Sequence, residues 1–258
     1  MTVTARVLAS RLDELLRTRD IPDYPGALNG LQCDHRGPVI RLGAAVDLSQ
    51  RTIALAAERG VNFLIVHHGM FWGGVQPITG PWYARLRLLF DHDIAVYSSH
   101  LPLDAHPDIG NNVLLARALG LTPSRPFAYF QGTAIGVAGD SDVETGALVD
   151  TVTAVSRQHG GTVRVSALRP GQRTHRWAIC TGAGASTDTL REARAAGIDT
   201  LIVGEGPHHT AVEAAESGVT IIYAGHYATE TLGVEAAAAK AAAWYDLAWE
   251  FLPAPTGL

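Results

Sequence analysis

The chain has 258 residues, of which 47% are hydrophobic and 17% are charged, and its formal net charge is −5. This balance is typical of a globular protein with its own core, and it excludes a disordered chain. The sequence has no run of Lys or Arg, which argues against a dedicated nucleic-acid-binding surface, and its two cysteines are too few for a disulfide framework or a cysteine-based zinc site. The eleven histidines need an explanation, because histidine is the commonest metal ligand.

The sequence also bears on the compartment. The first sixteen residues include Arg6, Arg11, Asp13 and Glu14, so they lack the uncharged apolar stretch of a secretory signal. No window of about 18 uncharged apolar residues is present, as a membrane-spanning helix would need. We therefore expect a cytoplasmic protein without a membrane partner.

Strands and helices alternate along the first half of the chain. The apolar stripe formed by Leu8, Leu12, Leu15 and Leu16 predicts a first helix, with Thr4 as its N-cap. The next predicted elements are a strand at 39–46, a helix between Ser49 and Gly60, a strand at 63–66, a helix at 82–90, a strand at 94–97 and a helix at 111–119.

The second half repeats this pattern. Alternation of strands and helices predicts an α/β fold with mostly parallel sheets. The Pro-containing stretch 122–126 is expected to separate two lobes, 1–124 and 125–258, and the C-terminal part of the second lobe can pack back on the first. The predicted elements are strands at 133–138, 162–167, 177–180, 201–203, 219–223 and 247–252, and helices at 143–155, 190–196, 211–216 and 230–244.

Three of the predicted strands run directly into histidines. In open α/β sheets, ligands bind at the carboxyl ends of the strands, so the three groups can converge on one place. A single histidine at a strand end is usually an ordinary hydrogen-bonded residue, but three such groups favour a metal site. The groups are His67 with His68, His100 with Asp104, and His226 with Glu230.

The spacing within these groups supports metal binding. His226 and Glu230 are four residues apart, as are His100 and Asp104, so each pair shares one face if a helix begins at its histidine.

The adjacent pair His67 and His68 is different, because neighbouring residues of a strand point to opposite faces. Both histidines are expected to reach one site only if the chain leaves strand geometry there, which Gly69 permits. Side chains that point apart suit two metal ions better than one.

The other histidines are interpreted as structural. We expect His208 and His209 to begin a helix in solvent, and a functional role for them stays open. The histidines expected to be ordinary surface or core residues are His35, His92, His106, His159 and His175.

Two further features allow alternative interpretations. The Gly-rich loop 182–186 can present backbone N–H groups to a phosphate, or it can be a tight turn between a strand and a helix. The aromatic pairs Phe71-Trp72 and Trp82-Tyr83 can line a pocket for a planar base, although core packing is the expected role.

Several stretches closely resemble the Nif-three-like family of ring-forming proteins with a dinuclear metal centre, also called GTP cyclohydrolase I type 2 homologues. The resemblance extends over essentially the whole chain and is nearest to the short bacterial branch typified by YbgI, which lacks an inserted middle domain. The matching stretches are VHHGMFW at 66–72, HLPLDAHP at 100–107, GNN at 110–112 and GHYATE at 225–230, with NGLQ at 29–32 and GEG at 204–206.

The resemblance implies a subunit of two α/β lobes, a toroidal homohexamer built as a trimer of dimers, and two metal ions per subunit. It implies that Glu230 bridges both ions, and that His100 lies close to the metals without binding them or acts as a catalytic acid or base. The implied ligands are His67, His68, Asp104, His226 and Glu230.

Such a site predicts hydrolysis. Two ions bridged by a carboxylate can activate water for ring opening of a purine or for phosphoester cleavage, and His and carboxylate ligands suit iron, manganese or zinc. We therefore expect a metal-dependent hydrolase, GTP cyclohydrolase-like or a phosphoesterase, that acts on a nucleotide or related small molecule. The alternative is a non-catalytic hexamer for metal binding, metal trafficking or scaffolding. The only lysine is Lys240, and Arg85 and Arg87 are the only Lys or Arg residues between the first two groups in sequence, which argues against GTP itself.

Overall fold

The computed structural model describes residues 2–258 and divides the chain into two compact units. The first unit comprises the chain up to Leu103 together with Gly233–Ala254, and the second comprises Asp104–Leu232 with Pro255–Leu258. Each unit has its own β-sheet, so the fold is mixed α/β, as the sequence predicts. Among the described residues, no helix is both long and apolar enough to cross a bilayer.

The sheet of the first unit has the order β1-β4-β3-β2-β11. The first of these pairings is antiparallel and the other three are parallel, as expected for an α/β lobe. The strands are β1 (Gly30–Cys33), β2 (Arg41–Asp47), β3 (Phe63–His68), β4 (Ala95–Ser98) and β11 (Ala248–Phe251).

Helices cover this sheet. The predicted cap of the first helix is confirmed, since the Thr4 side chain accepts from Val7 N. At the start of the second helix, Ser49 forms a capping box with Thr52. Residues Phe63 to Val66 are fully buried, as expected for a strand covered on both faces. The helices are α1 (Ala5–Leu16), α2 (Gln50–Glu58), α3 (Gly80–Asp91), α4 (Leu101–Asp104), whose last residue belongs to the second unit, and α10 (Thr231–Tyr245), which lies in the first unit from Gly233 onwards.

The sheet of the second unit has the order β5-β6-β8-β9-β10-β7. Its strands are β5 (Arg125–Phe130), β6 (Thr133–Glu144), β7 (Arg164–Ser166), β8 (Arg173–Cys180), β9 (Thr200–Val203) and β10 (Thr220–Tyr223). Its helices are α5 (Asn111–Ala118), α6 (Thr145–Gln158), α7 (Thr187–Ala195), α8 (His208–Ser217) and α9 (His226–Thr229).

The prediction of mostly parallel pairing is wrong for this second sheet. Among the described strands of this sheet, only β8, β9 and β10 pair in parallel. Strands β5, β6 and β7 pair antiparallel with their neighbours. The connection between β5 and β6 explains part of the difference. Gln131 and Gly132 both have positive φ, as a two-residue hairpin requires, and a hairpin can only join antiparallel strands.

The units also divide at different residues from the expected boundary at 124. Residues before that boundary belong to the second unit because α5 places Leu115 and Leu119 in one core with Trp177 and Ile179. The chain then returns to the first unit, where β11 pairs in parallel with β2 and Leu252 joins the core.

Candidate metal-binding site

In the first unit, three imidazoles lie together at the carboxyl ends of two strands. His67 and His68 end β3, and His100 follows β4. Each residue offers a ligand nitrogen, and these nitrogens lie within 4.8 Å of one another. The ring centroid of His67 is 4.8 Å from that of His68 and 4.9 Å from that of His100. The structure therefore groups three of the histidines singled out in the sequence.

The two adjacent histidines meet although the chain keeps strand geometry, so the condition that they reach one site only by leaving the strand is wrong. Strand β3 continues through His68, which pairs with Asp47 of β2. Pairing with β4, however, ends at Val66. Both histidines thus extend beyond the last paired residue on the β4 side, and their long side chains converge there.

A hydrogen bond fixes the ring of each of these histidines. Every acceptor is a carbonyl or carboxylate oxygen, which cannot donate, so Nδ1 carries the proton in each bond and Nε2 is the nitrogen that a neutral ring can offer to a metal. This is how metal-binding imidazoles are oriented in proteins. The three bonds run from His67 Nδ1 to Ser99 O (2.9 Å), from His68 Nδ1 to Asp47 Oδ1 (2.9 Å) and from His100 Nδ1 to Asp23 Oδ1 (2.8 Å).

The Asp23 carboxylate is held by more than His100. Its side chain is only 6% exposed and also accepts from the backbone N–H groups of Tyr24 and Leu101 and from Asn29 Nδ2. Burial raises the pKa of Asp23, but the hydrogen bond and charge of His100 outweigh it, together with the bonds from Asn29 and Leu101, so the pKa is lowered. Asn29 Oδ1 in turn accepts from His100 N at 2.7 Å. The network keeps the carboxylate ionised and holds the His100 ring.

Gln32, in the same NGLQ stretch, holds the loop after the two adjacent histidines. Its Oε1 accepts from Met70 N at 2.7 Å, and its Nε2 donates to Ala27 O at 2.9 Å. A Cβ atom at Gly69 would collide with the Gln32 amide, so this close approach requires glycine. Gln32 of strand β1 therefore holds the loop that follows the two adjacent histidines.

In the second unit, His226 and Glu230 form an ion pair, as their spacing predicts. Helix α9 begins at His226 and Glu230 follows its last residue, which places His226 Nε2 3.1 Å from Glu230 Oε2. On the other side, His226 Nδ1 donates to Glu205 Oε1 at 2.7 Å. Burial lowers the pKa of His226, but the hydrogen bonds and charges of Glu230 and Glu205 outweigh it and raise the pKa to about 9.

The backbone of Gly182 lies directly against this pair. Its φ of +62° is left-handed, and a Cβ atom there would collide with Glu230 Oε1 and lie 3.4 Å from His226 Nε2. Only glycine therefore fits the wall beside the carboxylate.

Backbone N–H groups of the loop 182–186 are engaged by the protein. Gly182 N donates to Thr229 Oγ1 at 3.1 Å, and Ala185 N donates to Glu205 O at 3.2 Å. Ser186 caps α7 by accepting from Thr189 N. These bonds favour the tight-turn interpretation of the loop over phosphate binding.

Asp104 is held within the second unit by the two asparagines of the GNN stretch. Its Oδ1 accepts from Asn111 Nδ2 at 2.8 Å, and its side chain is buried. Asn112 accepts from Thr181 N, at the end of β8, through its Oδ1. The bond from Asn111 thus fixes the orientation of the buried Asp104 carboxylate.

The remaining histidines have the structural surroundings expected of them. Asn62 contacts His35 at 2.9 Å, and His106 Nδ1 accepts from the N–H groups of Asp108 and Ile109, the reverse of the pattern in the clustered histidines. The first two residues of α8, 208 and 209, are exposed, as expected for a helix that starts in solvent.

Sequence reasoning missed three carboxylates, those of Asp23, Asp47 and Glu205, each of which holds one of the clustered imidazoles. Asp47 could have been found as the last residue of β2, at the edge where the histidines lie. Glu205 could have been found from the GEG motif that follows β9. Asp23 had no such signal, because it is 77 residues from its partner in the chain.

The donor set fits a metal ion. The available donors are oriented imidazoles and buried carboxylates. Neither cysteine is counted as a thiolate donor, because both are buried in the hydrophobic cores. Such nitrogen and oxygen donors suit iron, manganese and zinc equally. The buried histidine and glutamate groups can therefore hold a metal ion.

Known proteins match this chain over nearly its whole length. The family model Duf34/NIF3 (NGG1p interacting factor 3) matches residues 3–253. A protein of Deinococcus radiodurans named GTP cyclohydrolase 1 type 2 homolog is 43% identical over 96% of this chain and 92% of its own length. Among solved structures, TTHA1606 from Thermus thermophilus has a TM-score of 0.86 at 36% identity, covering 99% of this chain and 100% of its own. The protein ybgI, described as of unknown function, has a TM-score of 0.89 at 32% identity with the same coverage.

Proposed function

Because this chain belongs to the Duf34/NIF3 family, we propose that it binds two divalent metal ions and hydrolyses a nucleotide or a related small molecule. One observation carries the proposal. Each of the four histidines at the strand ends donates its Nδ1 proton to a fixed oxygen acceptor, and in three of them that acceptor is a carboxylate. A purely structural histidine has no need of this shared arrangement, whereas a metal ligand does.

The proposed ligands are His67, His68, Asp104, His226 and Glu230, with Glu230 bridging the two ions. Supporting this set are the burial of both carboxylates and the fixed orientation of the three imidazoles. When bound, two such ions supply Lewis acidity and lower the pKa of a water molecule. Iron, manganese and zinc are the metals that the donor set favours.

The other polar side chains act through the proposed ligands or on protons. Asp47 and Glu205 hold the rings of His68 and His226, and His226 must release its proton before it can bind a metal. Asp23 holds His100 at Nδ1, so Nε2 is the ring nitrogen that can take up or release a proton. We assign it the transfer of a proton at Nε2, either from the attacking water or to the leaving group.

The substrate proposal stops short of GTP. Arg85 lies 5.0 Å above the ring of Trp82 and donates to Leu48 O, and Arg87 pairs with Asp91. The two arginines between the first two histidine groups in sequence thus have partners within the protein. The same observation favours the second candidate function, a non-catalytic protein for metal binding, metal trafficking or scaffolding.

A homohexameric ring is the proposed assembly. An exposed apolar groove in the first unit, with a volume of about 780 Å³, supports an interface between subunits. Val75, Ile78 and Phe90 line it and are each more than half exposed, and an apolar surface of this kind usually marks an interaction site.

Metal analysis of the protein purified without chelator tests the proposal. We expect close to two ions per chain, with both lost in Glu230→Ala and mainly one weakened in His68→Ala. His100→Ala should keep the metal but lose about 10–100-fold in hydrolysis, measured against nucleotides and phosphoesters with the matched metal. His92→Ala is the matched control, because His92 is exposed after α3.

The outcomes separate the candidate functions. Full occupancy in Glu230→Ala would show that Glu230 does not bridge the ions. An ion lost in His100→Ala would make this residue a ligand. Two bound ions without hydrolysis of any probe would favour the non-catalytic function.

A further inference from the structure

Two exposed aromatic side chains lie beside the three imidazoles of the first unit. The Trp72 ring centroid is 4.7 Å from that of His100 and 5.8 Å from that of His68. Tyr24 is 6.3 Å from Trp72 and 6.2 Å from His100, again between centroids. Trp72 is 39% exposed and Tyr24 is 50% exposed, although both are large residues next to buried groups.

Core packing does not account for these two rings. The neighbouring Phe71 packs edge-on against Trp82, which is buried in the core of the first unit, so these two residues have the core role that the sequence suggested. That expectation is wrong for Trp72 and Tyr83, which are exposed. The planes of Trp72 and His100 are 79° apart, so the imidazole does not stack in parallel on the indole. A large exposed indole area is thus left beside the cluster.

The main chain fixes both aromatic residues in place. Tyr24 N donates to Asp23 Oδ1, the same oxygen that accepts from His100. At Gly26, a Cβ atom would lie 3.3 Å from Trp72 Cα and 3.6 Å from its Cε3, so the absent side chain lets the two segments approach closely. The main-chain segments that carry the aromatic residues and the histidine are therefore in contact with one another.

We propose that Tyr24 and Trp72 form a stacking platform for the planar heteroaromatic ring of the substrate, which for a nucleotide is its base. The inference rests on the proposed function, and it specifies which part of the substrate these two side chains recognise. Stacking on an aromatic side chain is worth about 1–3 kcal/mol per base and tolerates any base, because every base has a π-face. Stacking also needs no basic side chain, and Arg85 and Arg87 already have protein partners.

The test is isothermal titration calorimetry of the full chain with two probes, guanosine and ribose 5-phosphate. The first has a base without phosphate, and the second has a phosphate without base. In Trp72→Ala, guanosine affinity should fall about 5- to 150-fold, the equivalent of one lost stacking contact, while ribose 5-phosphate affinity stays unchanged. Trp72→Phe should retain most of the guanosine affinity, because it keeps an aromatic face.

Tyr24→Ala should weaken guanosine binding in the same selective way. Tyr129→Ala is its matched control, since Tyr129 is a 56% exposed tyrosine of the second unit. Wild-type protein that binds no guanosine, unchanged guanosine affinity in Trp72→Ala, or equal losses for both probes would each overturn the platform.

Metal content measured on the same samples separates this inference from the proposed function. Two ions per chain with guanosine binding unaffected by Trp72→Ala would remove the platform alone. A protein that holds no metal even after reconstitution would remove the proposed function, and the guanosine titration would still decide the platform.

Discussion

In the proposed site, a metal that binds His226 must displace a proton from it. In the metal-free protein, burial lowers the pKa of His226, but the hydrogen bonds and charges of Glu230 and Glu205 outweigh it and raise the pKa to about 9. The imidazole is therefore protonated at pH 7. Since a metal binds only the neutral ring, we predict that binding releases this proton and depends on pH well above neutrality.

The expected size of the pH effect on metal affinity follows from the difference between the pKa of His226 and the pH of the measurement. Two units of pKa correspond to about 2.7 kcal/mol, so metal affinity at pH 7 should be about 100-fold below its limiting value. Affinity should rise about tenfold per pH unit up to about pH 9 and then level off. An unperturbed histidine, with a pKa near 6.5, would give a flat profile over this range.

Stability of the metal-free protein should change in the opposite direction. The folded-state pKa of His226 lies above the unfolded value of about 6.5, so its contribution to stability is fully present below pH 6.5. That contribution is lost as the pH rises through about 9. Raising the pH thus weakens the empty protein while it strengthens metal binding.

Chelator competition with Mn²⁺ between pH 6 and 9.5 measures the affinity profile, and calorimetry in buffers of different ionisation enthalpy counts the released protons. Glu205→Gln keeps an acceptor for Nδ1 but removes a charge, so the rise should move to lower pH. His159→Gln, a substitution elsewhere in the second unit, should leave the profile unchanged. A flat wild-type profile from pH 7 to 9 would refute the reasoning.

Three further outcomes can be measured. Gly182→Ala should lower the free energy of unfolding by about 1–3 kcal/mol through backbone strain alone and should also reduce metal content through its collision with Glu230. Gly120→Ala, at φ +71° with no other heavy atom within 4 Å, should show the strain without the metal loss, and equal metal contents would contradict the contact. Asp47→Asn should weaken metal binding about 10–100-fold in chelator competition because it removes the charge that holds His68, whereas unchanged affinity would make that bond purely structural. Light scattering should give the mass of six chains, and a monomer at micromolar concentration would exclude the ring.

Local signals predicted the helices well, because a helix is closed by bonds between near neighbours. The cap at Thr4 and the helix start at Ser49 are examples. Strand β5 was missed because Pro126 in its sequence suggested a linker. It lies at the edge of its sheet, where a missing N–H donor can be tolerated. Edge position is a property of the sheet, and no local pattern in the sequence contains it.

The candidate site divides in the same way. The spacing of His226 and Glu230 correctly indicated that the two side chains meet, because one turn of helix connects them. The Asp23–His100 bond could not be predicted, since it depends on how the chain between these residues folds. The adjacent histidines of β3 show the opposite problem. The alternation rule for strands is sound inside a sheet but failed at its end, where pairing on one side had already stopped.

The place of β11 in the first sheet has a consequence for folding during synthesis. This strand is the last in the chain, yet it pairs with β2 and brings Leu252 onto Ala44. Until it leaves the ribosome, the edge of β2 is exposed, and an open edge invites pairing with other chains. The strands of the second unit all lie within one continuous segment, so they can assemble earlier. We expect the first unit to complete its fold last, against the usual N-terminal order, and a nascent chain to need protection of that edge until then.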